Sequence, residues 1–257
     1  MQGYIYISFR LLGNMTQINF VGKCLLIDTE ENGIKKKILV VGDLHLGYEE
    51  SLNRSGVYMH HHLFEETLKY FDGVFDKVGK MDYVILLGDV KHNMGTIMSQ
   101  EWNEILRLFK YLKEKCNEVV IVKGNHDGIL EPIVRKEMGV RLLDFFALGE
   151  FCFIHGDKAF DEVNDKKIKN WILGHGHPAI KISDGVKIEK YKCYLVGKYG
   201  GKEIIIVPSF IEANEGSDPR ENDLGMAWDF DYRKFEVFVV QDDGLEVLKF
   251  GKLKKLK

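Results

Sequence analysis

Short runs of β-branched and other apolar residues recur along this chain, each ended by glycine and a polar cluster. Val119-Val120-Ile121-Val122 leads into Gly124-Asn125-His126-Asp127. Ile38-Leu39-Val40-Val41 leads into Gly42-Asp43-Leu44-His45, and residues 83–87 lead into Gly88-Asp89. Runs of this length, bounded by turn residues, predict buried strands. Residues 151–154 predict another, ending at His155-Gly156-Asp157, and residues 171–173 one more, ending at Gly174-His175-Gly176-His177. Ahead of them residues 18–27 predict a first strand, joined to residues 38–41 through the hairpin signal Glu31-Asn32-Gly33.

Between these runs the apolar spacing becomes helical. Residues 59–78 place Leu63, Phe64, Thr67, Leu68, Phe71 and Phe75 on one stripe. A second helix is predicted over residues 99–115, with Ser99 as N-cap and Trp102, Ile105, Leu106 and Phe109 on its apolar face. Residues 129–138 predict a short third one. Beyond Pro178 the pattern is mostly strands, at residues 192–196, 203–207, 226–230 and 235–240, with turn signals at Asp184-Gly185, Gly200-Gly201 and Asp243-Gly244. A first half of alternating strands and helices followed by a strand-rich second half predicts an α/β fold. It fits a four-layer α-β-β-α sandwich of two mixed sheets better than one doubly wound parallel sheet.

Composition narrows this picture slightly. The length of 257 residues predicts a single domain spanning 1–257, and 45% hydrophobic residues supply a sizeable core. Residues 1–14 read as an N-terminal extension, because Met15 directly precedes the first strand pattern. A net charge of -3 marks no general polyanion binder, although a local basic groove is compatible with it. The four cysteines, Cys24, Cys116, Cys152 and Cys193, are widely separated and predict buried free thiols in a reducing compartment. The N-terminus lacks a basic leader, and no apolar run reaches the roughly 18 residues of a membrane span. The expectation is a soluble cytoplasmic protein with no membrane contact.

The strand-end clusters carry the chemistry. Asp43 and His45 flank a single residue and can turn to one point. Asp89 can bridge two ions, Asn125 offers a neutral oxygen, and His175 and His177 straddle a glycine that allows close backbone approach. Each has an ordinary alternative: a turn cap for either aspartate, an Asx turn for Asn125, a structural or surface imidazole for each histidine. Nine histidines would give about 0.3 His-x-His pairs by chance, so that pair alone decides little. Several such clusters, each directly after a strand and beside glycine, are a different matter. Mixed imidazole and carboxylate donors without thiolate suit manganese, iron, nickel or zinc. Two such ions lower the pKa of a bound water from about 15.7 to about 7 and clamp phosphoryl oxygens.

Taken together, Asp43-x-His45, Gly88-Asp89, Gly124-Asn125-His126-Asp127, His155 and Gly174-His175-x-His177 resemble the motif series of the calcineurin-like metallophosphoesterase superfamily, over roughly residues 38–210. The resemblance implies two sheets flanked by helices. It implies one metal ion held by Asp43, His45, Asp89 and His177, and a second by Asp89, Asn125, His155 and His175, with Asp89 bridging. It further implies that His126 contacts the phosphate and protonates the leaving group, and that Asp127 orients His126. The cofactors would be two divalent ions, manganese first, with nickel, zinc, iron or magnesium as alternatives.

Within that superfamily, residues 43–49 and Gly88-Asp89-x-x-His92 resemble the nuclease subunit of the double-strand-break repair complex, where a histidine matching His92 serves phosphodiester cleavage. This chain is too short for that subunit's capping domain and tail. It is closer to small prokaryotic metallophosphoesterases, including the DNA-ligase-associated ones. It departs from the family after Pro208-Ser209-Phe210, where a charged segment, residues 212–223, replaces a glycine-rich turn. The leading expectation is a phosphodiesterase or nuclease acting on DNA or RNA, with DNA-repair proteins as partners. The alternatives are a phosphatase or pyrophosphohydrolase acting on a nucleotide or phosphoprotein, and a non-catalytic scaffold of the same fold. His60-His61-His62 and the lysine runs at residues 35–37 and 166–169 read as solvated surface, and Trp171 and Trp228 as core.

Overall fold

The computed structural model describes residues 8–10, 16–31, 33–58, 62–183, 185–241 and 245–256. The chain runs through β1 (Ser8–Arg10), β2 (Gln17–Val21), β3 (Cys24–Glu31) and β4 (Ile34–Val41), then α1 (Tyr48–Arg54), α2 (Leu63–Val78) and β5 (Met81–Leu86). It continues with α3 (Ser99–Lys115), β6 (Cys116–Val122), a one-turn α4 (Glu131–Val134), β7 (Val140–Leu143), β8 (Phe145–Leu148), β9 (Phe151–Ile154) and β10 (Asn170–Leu173). The last strands are β11 (Ala179–Ser183), β12 (Ile188–Tyr199), β13 (Lys202–Ile206), β14 (Glu236–Gln241) and β15 (Glu246–Lys252).

Two mixed sheets form. One has the order β1-β2-β3-β4-β5-β6-β7, and the other β15-β14-β12-β13-β10-β9-β8, with β11 paired to β12. Residues from both sheets fill the space between them, among them Ile18, Leu25, Val40, Ile85 and Val120 from the first and Phe153, Ile172, Tyr194 and Phe238 from the second. On its outer face the first sheet is covered by α2 and α3, through Phe71, Val74 and Phe75 on one and Ile105, Leu108, Phe109 and Leu112 on the other. The fourth layer is thin. Short 3-10 turns at Asp161–Asn164, Tyr232–Lys234 and Leu253–Lys255, together with Trp228 and Phe230, cover the outer face of the second sheet. Trp171 is buried there with its ring centroid 4.9 Å from that of Trp228.

Local chemistry accounts for most differences from the sequence reading. Residues 18–27 are two strands, because Gly22 takes a left-handed φ of 56° and turns β2 back onto β3. Ser99 is the first helical residue of α3; Met98 precedes it, and Glu101 accepts the Met98 N–H at 3.2 Å. Only Leu130, Ile133 and Val134 are buried across residues 129–138, too few for a second apolar turn, and the helix stops after four residues. Residues 226–230 form no strand: Ala227 N–H donates to the Gly156 carbonyl, and Phe230 N–H turns back to Trp228. The four cysteines are buried and free. His60, His61, Asn32, Asp184, Asp243 and Gly244 lie outside the described residues, as do residues 1–7 and 11–15; His62 is exposed just ahead of α2. Among the described residues no helix is long and apolar enough to cross a membrane.

What matters for function is strand direction. β4, β5 and β6 are mutually parallel, and so are β9, β10 and β13. Their carboxyl ends meet where the two sheets join: the His155 ring Nδ1 donates to the Leu87 carbonyl at 2.6 Å, and Phe210 N–H to the Asp43 carbonyl at 2.9 Å.

Candidate metal centre

Asp43 and His45 follow β4, Asp89 follows β5, Asn125 and His126 follow β6, His155 follows β9, and His175 and His177 follow β10. Four of these residues, His45, Asp89, His175 and His177, have positive φ values of 47°, 47°, 62° and 41°. A side-chain-bearing residue in that region costs about 1 kcal/mol or more and persists only where its surroundings impose it. Here the strand-end loops impose it on one another. Leu44 and His45 N–H both donate to the Asp89 carbonyl, at 3.1 and 2.8 Å, and His175 N–H donates to both Asp43 carboxylate oxygens at 3.1 Å. Gly88 and Gly124 let the turns touch. A Cβ at Gly124 would lie 2.3 Å from Asp89 Oδ1, and one at Gly88 2.5 Å from His155 Nδ1.

Among the described residues the donor atoms gather into two adjoining trios that contain a carboxylate, Asp43–His45–His177 and Asp89–His155–His175, and a third of imidazoles alone, His45–His92–His126, each with its atoms within 4.8 Å of one another. In the first, His177 Nε2 lies 3.3 Å from Asp43 Oδ1 and 3.4 Å from His45 Nε2. In the second, His155 Nε2 lies 3.1 Å from His175 Nδ1, 3.1 Å from Asn125 Oδ1 and 3.6 Å from Asp89 Oδ2. The trios adjoin through Asp89 Oδ2, 3.8 Å from His45 Nε2, and through Asp43 Oδ1, 3.7 Å from His155 Nδ1. His155 Nδ1 donates to the Leu87 carbonyl at 2.6 Å, which leaves its Nε2 lone pair facing the trio. Convergent nitrogen and carboxylate donors with a ring fixed in this way fit divalent ions.

The ionisable groups of the centre perturb one another. Burial alone would raise the Asp43 carboxyl, but the imidazoles of His177, His155 and His45 outweigh it and hold Asp43 well below the usual range. Asp89 is pushed up to about 6, first by burial and then by the Asp43 charge, against the pull of His155. His45 is pushed down to about 3, chiefly by burial, and His175 is lowered by burial and by His155. His155 is raised, because Asp43 and Asp89 together overcome its own burial. Two buried carboxylates and several imidazoles cannot all reach their preferred charge states together, and a bound cation relieves the carboxylates.

His126 and His92 stand outside the two carboxylate-bearing trios and make the third with His45, in a cleft of about 270 Å³ also lined by Tyr48, Ile211 and Asn214. Their rings stack with centroids 5.7 Å apart, and both approach His45 edge-on, at 5.0 and 5.4 Å. The His126 Nδ1 faces the His92 carbonyl oxygen. Asp127 does not face the His126 ring. Its fully buried carboxylate accepts the backbone N–H groups of Gly124 and Val90 at 3.0 Å and of Lys91 at 3.4 Å, tying the turn after β6 to the turn after β5. The sequence reading missed Asn214, whose amide nitrogen is 2.8 Å from His177 Nδ1. Its only trace was the Asn214-Glu215-Gly216 turn signal inside the charged segment.

The sequence profile of the calcineurin-like phosphoesterase family matches residues 36–251, and the chain belongs to that family. It is a metal-dependent phosphoesterase, a hydrolase whose family implies divalent ions at these His/Asp clusters. In fold it is similar to the nuclease MPE of Pseudomonas putida, at 16% identity and a TM-score of 0.64, over 96% of this chain and 100% of that one. Vps29 of Entamoeba histolytica, solved in complex with zinc, matches 83% of this chain and 99% of its own at 15% identity and a TM-score of 0.36. No curated protein matches the chain.

Proposed function

We propose that this phosphoesterase cleaves phosphodiester bonds in nucleic acid at a centre of two divalent ions. Asp43, His45, Asp89 and His177 would hold one ion, and Asp89, Asn125, His155 and His175 the other, with manganese the first choice and nickel, zinc, iron or magnesium the alternatives. Such ions, when bound, supply Lewis acidity toward the phosphoryl oxygens and a water of lowered pKa.

The observation that carries the reading is the pair of stacked imidazoles, His92 and His126, in the cleft beside both carboxylate-bearing trios. A diester leaves as an alkoxide that needs a proton, and a positioned imidazole supplies one. With its Nδ1 turned to the His92 carbonyl, His126 turns Nε2 toward the centre, 3.9 Å from Asp89 Oδ2, where a proton on Nε2 can pass to the leaving oxygen. His92 adds a second ring on the same side, and the ring nitrogen Nδ1 of His92 is buried without a hydrogen-bond partner among the described residues. Asp127 acts at one remove, by bracing both turns. The likeness to a nuclease over nearly the whole chain agrees with this reading.

The test is hydrolysis after chelation and re-addition of Mn²⁺, Ni²⁺, Zn²⁺ or Mg²⁺. Substrates are bis-p-nitrophenyl phosphate, p-nitrophenyl phosphate, and end-labelled single- and double-stranded DNA. Diester preference together with DNA cleavage that disappears in His92→Ala is expected. Monoester hydrolysis with DNA left intact would overturn the nucleic-acid assignment.

A further inference from the structure

We propose that Asn214 is a positioning residue for His177 and couples filling of the Asp43–His45–His177 trio to the turn at residues 214–218. The inference rests on the reading that this trio holds an ion. Asn214 Oδ1 accepts the Gly216 N–H at 2.9 Å, and only an oxygen can do so. That contact sets the amide's orientation and places Nδ2 against His177 Nδ1 at 2.8 Å. Donation from Nδ2 makes Nδ1 the acceptor, so the neutral ring carries its proton on Nε2. That nitrogen points at Asp43 Oδ1, 3.3 Å away.

A ligand at Nε2 needs the opposite arrangement, with the lone pair on Nε2 and the proton on Nδ1. The Nε2 proton then leaves to solvent and Nδ1 takes one up. Asn214 must turn its amide to present Oδ1 to the new Nδ1–H, and Gly216 N–H loses its acceptor.

The turn is placed to feel this change. Ser217 N–H donates to the His177 carbonyl at 2.8 Å, and Ala179 N–H to the Ser217 carbonyl at 2.9 Å. Gly216 itself sits at a φ of 83°, where a Cβ would lie 2.4 Å from the His177 carbonyl oxygen. Further out, Lys190 pairs with Glu215 at 3.2 Å and Lys181 N–H donates to Asp218 at 2.8 Å, linking the turn to the β11–β12 hairpin. The charged segment of residues 212–223 therefore supplies the second hydrogen bond of His177.

Two variants and two readouts test the idea. Asn214→Leu keeps the volume and removes both polar atoms. Asn214→Asp offers an oxygen to His177 Nδ1–H and another to Gly216 N–H at once. Mn²⁺ titration of chelated protein by calorimetry should show one ion weakened about ten- to a hundredfold in Asn214→Leu, with the other unchanged. Asn214→Asp should bind that ion at least as tightly as the wild type. Amide hydrogen exchange should show Gly216 losing protection on Mn²⁺ loading in the wild type and keeping it in Asn214→Asp. Wild-type affinities in Asn214→Leu, or Gly216 exchange indifferent to loading in the wild type, would overturn the coupling. A wild-type chain that binds a single Mn²⁺ would overturn the two-ion reading and the coupling with it.

Discussion

His126 is held by Asp89 from two sides: Asp89 Oδ1 accepts the His126 backbone N–H at 2.9 Å, and Oδ2 stands 3.9 Å from His126 Nε2. Only the second contact belongs to the side chain. His126→Ala therefore leaves Asp89 anchored by the backbone. The expected outcome is turnover reduced about 10²- to 10⁴-fold, with metal content unchanged. Elemental analysis beside steady-state rates checks this, and loss of both ions would show that His126 is needed to build the centre.

Asp127 is expected to matter through stability. Truncation to alanine strands three buried N–H groups, those of Gly124, Val90 and Lys91. At about 1 kcal/mol or more for each, Asp127→Ala should cost about 3 kcal/mol or more, read as a lower urea midpoint at constant slope. A loss below about 1 kcal/mol accompanied by abolished turnover would instead place Asp127 in the chemistry.

Ion binding should weaken as the solution becomes acidic. Asp89 holds its proton up to about pH 6, and His155 is also raised, so an incoming ion must displace both protons. His45, lowered to about 3, and His175, lowered by burial and by His155, oppose the ion less. Apparent Mn²⁺ affinity should fall about tenfold or more per pH unit below about 6, measured by titration at pH 7, 6 and 5. Without metal the sign for Asp89 reverses. Its raised pKa contributes stability that is fully present below the ordinary value of 3.8 and is lost as pH rises through about 6. An affinity that stays flat from pH 5 to pH 7 would contradict the assignment of Asp89 as a ligand.

Gly88→Ala tests how closely the ligand turns approach one another. Gly95 has the same φ of 87° with open space around its would-be Cβ, whereas at Gly88 that carbon meets His155 Nδ1 at 2.5 Å and Gly124 N at 2.7 Å. Gly95→Ala should cost about 1 kcal/mol for the backbone conformation alone. Gly88→Ala should cost clearly more and lower the affinity of the ion at Asp89–His155–His175. Equal costs for the two substitutions would mean that the turns can separate freely.

Much of this centre was legible in the chain. Each polar cluster follows a short apolar run, and both the run and the glycine beside it are local features. Val119-Val120-Ile121-Val122 announces β6, and Gly124-Asn125-His126-Asp127 announces the turn after it. The helices over Leu63–Val78 and Ser99–Lys115 were equally plain, since an apolar stripe of several turns has one reading. The segments that misled were those where local pattern was overridden. Residues 226–230 look like a strand but lie as an irregular cover on the second sheet, and residues 129–138 lack the buried positions to carry a helix beyond one turn.

Sequence by itself determined which carboxylates, imidazoles and amide stand at strand ends and in what order, because apolar periodicity and turn chemistry act within a few residues. Tertiary structure alone decided which donors meet. His45 faces His177 from 132 positions away, and His155 faces Asp89, because parallel β4-β5-β6 and β9-β10 direct their carboxyl ends to one seam. The same packing turned Asp127 onto the backbone, set the His92 carbonyl against His126 and brought Asn214 to His177. Those contacts join segments far apart in the chain, and nothing in the spacing of residues encodes the direction in which a buried side chain finds its hydrogen bonds.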